Sequence, residues 1–188
     1  MTVLVTGATG FTGGHLARHL RHRGVQVRGL VRQKSLARPE VAALRDAGVE
    51  IVTGDLTDAR AVAAACAGTD IVYHIAATYR EAGQPDSAYR AINVQGVQHV
   101  IDGARAGGAT RVVHCSTGGG HGHVANQPAN EDAPFNPGDV YQDTKLEGER
   151  LARAEGVKGG IEVVIARPIG IYGPGDMRFL KMFRGISR

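Results

Sequence analysis

The sequence predicts a doubly wound α/β fold, a parallel sheet with helices on both faces. Three observations carry this. Short β-branched runs alternate with longer helical patterns along the chain. The runs are nearly continuously apolar, as in Ile71-Val72-Tyr73-His74-Ile75, the reading expected of strands covered on both faces. A length of 188 residues, with 43% hydrophobic and 21% charged side chains, is one domain's worth of chain with enough apolar matter for a core. Strand, helix, strand repeated in this way gives parallel pairing through right-handed crossovers, and so three layers, α/β/α.

Taken in order, the strand candidates are Val3–Val5, Val25–Val31, Val49–Val52, Ile71–Ile75, Arg111–His114 and Ile161–Ala166. The helix candidates between them are Phe11–Arg23, Glu40–Ala47, Ala59–Ala67, Ala88–Ala106 and Val140–Glu155. Thr57 or Asp58 caps the helix at Ala59, and Gly68 lies just past its end. Gly118–Gly138, rich in Gly, Asn and Pro, reads as a long loop of the kind that carries function. The amino terminus enters a strand at once and lacks the basic region of a signal peptide. No apolar run is long enough to span a membrane. Cys66 and Cys115 are the only cysteines, which argues against a disulfide framework and for a reducing, cytoplasmic setting.

The net charge of +4 is a mild excess. Its one concentration, Arg18-His19-Leu20-Arg21-His22-Arg23, reads as a solvated helix face rather than a nucleic-acid surface, and a basic balance suits ligands that carry phosphates. His121-Gly122-His123 and the histidines at 15, 19 and 22 have no Cys or carboxylate at zinc-like spacing, so no metal site is expected. His121 is instead expected near the substrate, and Cys66 and Cys115 are expected to be buried small hydrophobes.

Thr6-Gly7-Ala8-Thr9-Gly10-Phe11-Thr12-Gly13 joins the first strand to the first helix. So tight a turn needs residues without Cβ, and the helix amino terminus then offers N–H groups and a positive dipole end to a pyrophosphate. The second strand ends Leu30-Val31-Arg32-Gln33-Lys34-Ser35. It lacks the acid that would bond a ribose 2′-hydroxyl, and Arg32 with Lys34 suits a 2′-phosphate. The expected cofactor is therefore NADP(H), with NAD(H) as the alternative.

Tyr141 and Lys145 stand one helical turn apart, where an ammonium could bring a phenol's pKa toward neutrality. The preceding strand ends His114-Cys115-Ser116-Thr117, which puts hydroxyls at a carboxyl end, where open α/β sheets bind ligands.

With these motifs stand Gly54-Asp55-Leu56, His74-Ile-Ala-Ala77, Asn93-Val94-Gln95-Gly96, Glu131 to Pro137, and Arg167-Pro168-Ile-Gly-Ile-Tyr-Gly-Pro-Gly175. Together they resemble the extended short-chain dehydrogenases/reductases, also called the NAD-dependent epimerase/dehydratase family, with a Rossmann-type sheet. The resemblance implies that Tyr141 is the acid–base, that Lys145 depresses its pKa and holds the nicotinamide ribose, and that Thr117 or Ser116 bonds the substrate oxygen. It places Asp55 and Leu56 by the adenine, Ala76 and Ala77 beneath the cofactor, Pro168 and Ile171 by the nicotinamide, and Asn93 near the cofactor as a helix-positioning residue.

It further implies hydride transfer between NADP(H) and a secondary alcohol or ketone, with a nucleotide sugar as the small-molecule substrate. The alternatives are a ketoreductase resembling dihydroflavonol reductase and an inactive NADP(H)-binding protein. Family members often dimerise through the helices corresponding to Ala88–Ala106 and Val140–Glu155, so a homodimer is implied. Gly118-Gly119 stand where the family's sugar dehydratases carry Asp-Glu, so that chemistry is not expected. Residues 1–176 read as a dinucleotide-binding domain carrying the catalytic residues, and 177–188 as the start of a substrate-binding domain that the chain lacks.

Overall fold

The computed structural model describes residues 1–80, 83–125, 128–176 and 180–186. The chain runs β1 (Thr2–Thr6), α1 (Phe11–His22), β2 (Gln26–Val31), α2 (Pro39–Asp46), β3 (Glu50–Thr53), α3 (Ala59–Cys66), β4 (Ile71–His74), α4 (Asp86–Arg90), α5 (Gly96–Ala106), β5 (Arg111–Cys115), α6 (Val140–Val157), β6 (Glu162–Ala166) and α7 (Leu180–Ile186). The strands form one sheet in the order β3-β2-β1-β4-β5-β6, every neighbouring pair parallel. This is the expected Rossmann-type sheet, with its topological switch between β1 and β4.

Alternation along β1 divides the core. Leu4 faces Val62, Val97, Val100 and Ile101 on one side, while Val3 and Val5 face Ala17 and Leu44 on the other. Asp58, rather than Thr57, caps α3, its carboxylate accepting from the Arg60 and Ala61 N–H groups. Pro39 opens α2 at a position where no amide donor is missed.

The long helix expected at Ala88–Ala106 is interrupted by a π turn, Ala91–Gln95. A Cβ on Gly148 would sit 2.1 Å from the Asn93 carbonyl oxygen, so α6 lies backbone against backbone on that turn. The loop expected at Gly118–Gly138 begins with a 3₁₀ turn, Gly118–His121, capped by Thr117. Of the expected start of a second domain, residues 177–179 and 187–188 lie outside the described residues, and Leu180–Ile186 is helical. Among the described residues, no helix is long and apolar enough to cross a membrane.

Candidate active site

A cleft of about 650 Å³ opens over the carboxyl ends of the strands at the switch point. Backbone makes one end of it. Gly7 has φ +69°, and a Cβ there would lie 2.8 Å from the Ala76 nitrogen; one on Gly13 would lie 2.3 Å from the Gly7 oxygen. Gly10 donates to the Gly7 carbonyl (2.9 Å) and caps α1 without a side chain, and the first turn of α1 carries no acid. The loop is therefore a close-approach cradle at a positive helix end, and a pyrophosphate fits it. Thr6, Gly7, Thr9, Gly10, Phe11, Thr12 and Gly13 all line the cleft, with Ala76 and Ala77 across from them.

At the end of β2 the cleft is bordered by Arg32, Asp55 and Leu56. Burial would raise the Asp55 carboxyl, but hydrogen bonds from the Thr57 N–H and hydroxyl, together with the Arg32 and Lys34 charges, hold it below the ordinary carboxylate value. Lys34, expected as a cofactor residue, is exposed outside the cleft in a 3₁₀ turn, Gln33–Ser35, and reaches it only through its charge on Asp55. Arg38, unnoticed in the sequence, lines the cleft instead and pairs with Glu40 at 2.9 Å. A second cation just before the helix-opening Pro39 was the available signal.

Side chains make the other end. Tyr141, Lys145 and Glu149 lie one turn apart on α6. Lys145 is 2% exposed and its Nζ donates to the Cys115 carbonyl oxygen. Burial pulls its pKa down to about 8, against the opposing influence of Cys115 and Glu149. The Thr117 hydroxyl oxygen accepts from the Gly119 N–H (3.1 Å), and its own proton is turned toward Tyr141.

The expectation that Lys145 depresses the Tyr141 pKa is corrected. Burial, then the neighbouring Cys115, pushes the phenol above its usual value; the hydrogen bond with Thr117 and the Arg80 charge pull against this. Lys145 is turned to Cys115. The cation beside the phenol is Arg80, its guanidinium carbon 6.0 Å from the Tyr141 ring centre and its Nη2 2.8 Å from Asp139, the α6 cap. Arg80 has φ +38°, a strained backbone for a non-glycine residue, and Tyr79 meets Tyr141 edge-on at 4.8 Å. Tyr79, Arg80 and Gln142 line the cleft and went unpredicted, since no local spacing marks a loop that returns across a helix start.

Ser116 borders the cleft, but its hydroxyl donates to Glu149 (2.6 Å), which leaves Thr117 as the hydroxyl facing inward. Burial acts to raise Glu149, but hydrogen bonds from Arg167 and Ser116 hold its pKa below the ordinary value. Asn93 does not reach the cleft. It is buried, with Nδ2 donating to the Thr78 carbonyl and to Thr144 Oγ1, while Oδ1 accepts from the Thr78 N–H. Its place is to hold the π turn against α6.

Pro168 and Ile171 line the far wall, where His15 Nε2 lies 3.0 Å from the Pro174 carbonyl oxygen. His121 does not line the cleft. It is buried, stacks on Phe135 at 4.6 Å, and its Nδ1 lies 2.9 Å from the Ala133 oxygen. Cys66 is buried, whereas Cys115 lines the cleft floor.

A doubly wound parallel sheet whose glycine loop and Tyr141–Lys145 pair share one cleft defines a dinucleotide-binding protein of the short-chain dehydrogenase/reductase type. The chain belongs to the NAD dependent epimerase/dehydratase family, whose sequence model matches residues 3–186. It is 39% identical over 181 residues to sterol demethylase protein B of Methylococcus capsulatus, covering 95% of this chain and 54% of that protein. It is 33% identical over 200 residues to a 3 beta-hydroxysteroid dehydrogenase/Delta 5→4-isomerase of Mycobacterium tuberculosis, covering 99% and 51%. Among solved structures, a dTDP-glucose 4,6-dehydratase double mutant of Streptomyces venezuelae with NAD and DAU bound superposes with a TM-score of 0.85 at 30% identity, covering 100% of this chain and 62% of that one. The chain thus spans about half the length of the curated relatives it matches.

Proposed function

We propose that this chain is the cofactor-binding and catalytic part of an NADP(H)-preferring oxidoreductase acting on a secondary alcohol or ketone of an apolar, sterol-sized substrate. The observation that carries the reading is that Tyr141, Thr117 and Lys145 line the same cleft as the glycine cradle. When bound, the nicotinamide supplies or accepts the hydride. On substrate binding Thr117 turns its proton from Tyr141 to the substrate oxygen and orients it. Tyr141 gives that oxygen a proton in reduction and takes one in oxidation. Lys145, fixed by the Cys115 carbonyl, holds the ribose side of the cofactor. Tyr141 is protonated at neutral pH, as an ordinary phenol is, and burial moves its titration further up, so the oxidation rate is expected to climb into the alkaline range.

Arg32 and Arg38 supply the charge for a 2′-phosphate; β2 itself ends in no acid, and the Asp55 carboxylate bordering that end faces the Arg32 and Lys34 charges. The apolar substrate is supported by the two curated relatives, named for a sterol and a steroid, and by exposed apolar side chains on the cleft, Tyr79 and Ile169, the latter 89% exposed. A nucleotide sugar is the second reading, favoured by the likeness to the sugar-nucleotide dehydratase structure. Residues 1–176 act as the dinucleotide-binding unit.

Calorimetric titration tests the cofactor. NADPH is expected to bind about 10- to 100-fold more tightly than NADH, and Arg32→Ala to erase most of that difference, the size of one charged hydrogen bond. Equal losses for both cofactors would make Arg32 structural. Turnover of a 3-hydroxysteroid against that of a dTDP-sugar decides between the substrates.

A further inference from the structure

Among the described residues, the buried side-chain nitrogens and oxygens that no protein atom partners are Arg21 Nε, His74 Nε2 and both ring nitrogens of His114. All but the first belong to one pair. His74 and His114 stand opposite each other in the β4–β5 register, their ring centres 5.3 Å apart, at 1% and 0% exposure. They share the sheet face of Val72 and Val112, toward the layer of α3, α5 and α6.

The proton on His74 is fixed by its neighbour. The Thr6 hydroxyl oxygen accepts from the Ile75 and Ala76 N–H groups (3.1 and 3.2 Å), so its own proton goes to His74 Nδ1 at 2.8 Å. His74 Nε2 therefore carries a hydrogen and is a buried donor with no protein acceptor. A neutral His114 adds one more donor and one acceptor. Lys145, whose ammonium has three donors and bonds the carbonyl of the residue after His114, lies close enough for its charge to act on both rings.

We propose that His74 and His114 enclose a buried water site, and that this hydrated pair seats the Lys145 ammonium from its interior side. The water accepts from His74 Nε2–H and from Lys145, and donates to a His114 nitrogen. Three hydrogen bonds are the usual complement of a buried water. Both rings stay neutral, as burial beside an ammonium requires. Through Thr6 the same pair braces the first residue of the glycine loop, so it joins the two ends of the cleft. The seating role rests on the function proposed for Lys145, whereas the water site does not.

The test compares wild type, His114→Leu and His114→Gln. A high-resolution crystal structure of the chain is expected to show a water within hydrogen-bond reach of His74 Nε2 and a His114 nitrogen, and its absence overturns the proposal. Removing an orphaned polar group in favour of a hydrocarbon is neutral or stabilising, whereas removing a water's partner is not. His114→Leu is therefore expected to lower the melting temperature by about 4 °C, and His114→Gln to recover most of it. An unchanged or higher melting temperature for the leucine variant, or no recovery with glutamine, overturns the water site. With a 3-hydroxysteroid as substrate, His114→Leu is expected to reduce kcat about tenfold by misplacing Lys145, with a parallel weakening of cofactor binding, and glutamine to restore both. Unchanged kcat overturns the seating role. An inactive wild type counts against the proposed function, and the density and melting results still decide the water.

Discussion

The two ends of the cleft are made of different material. Around β1–β3 the cradle itself is backbone and small residues, shaped by where a Cβ cannot go, with Arg32, Arg38 and Asp55 at its outer edge, and the buried polar side chains of that region, Thr6 and Ser35, carry no charge. Around β4–β6 and α6 the interior holds His74, Asn93, His114, Ser116, Thr144, Lys145 and Glu149. Shape suffices to cradle a ligand that brings its own charge. Proton transfer needs ionisable groups held out of water, and these cost stability wherever their partners are incomplete.

The largest expected effect separates the two ends by function. Tyr141→Phe removes the proton donor and is expected to lower turnover by about 10²- to 10⁴-fold, while NADPH affinity measured by titration stays within a factor of two to three. A parallel loss of affinity would mean the two ends are not separable. Next comes Gly13→Ala, which puts a Cβ 2.3 Å from the Gly7 oxygen, a contact that forces the backbone apart. Cofactor affinity should fall by about 100-fold, or about 3 kcal/mol, and wild-type affinity in this variant would remove the cradle from its role.

The smallest effect has the opposite sign. Lys145 is charged in the unfolded chain up to its ordinary 10.5, yet burial favours its neutral form from about 8. The unfolded state thus binds the extra proton between these values, so stability rises with pH across that window and carries a constant penalty below it. Lys145→Met should raise unfolding free energy at pH 7 by about 1–3 kcal/mol while abolishing turnover. Urea melts at pH 7 and 10 would also show the rise between them shrink. A destabilised methionine variant would mean the Cys115 hydrogen bond outweighs the buried charge.

The same division decides what the sequence could reveal. Glycines at fixed offsets between a strand and a helix are local, and Gly7, Gly10 and Gly13 were legible as a tight turn because only backbone was involved. Tyr141 and Lys145 were legible as neighbours on one helix. Asn93 was legible as a helix-positioning residue; that neither its amide nor the Ser116 hydroxyl faces the cleft was not, because their partners Thr144 and Glu149 lie far along the chain. Lys34 and Arg38 changed places because a 3₁₀ turn after Arg32 redirects the chain. Tyr79 and Arg80 reach Tyr141 through space alone.

Glu149 accepts from Arg167 at 2.6 Å, and the same guanidinium donates to the Glu131 carbonyl oxygen at 2.8 Å. This ion pair pins the last strand and the crossing segment to the helix that bears the phenol and the ammonium. Tyr141, Lys145 and Glu149 ride on one stiff rod, about 6 Å between successive groups. Sliding that rod along the sheet would carry proton donor, ammonium and anchor together, keeping their mutual spacing while changing their reach into the cleft. Selection acting on the anchor alone could thus retune the catalytic depth without touching either reactive group.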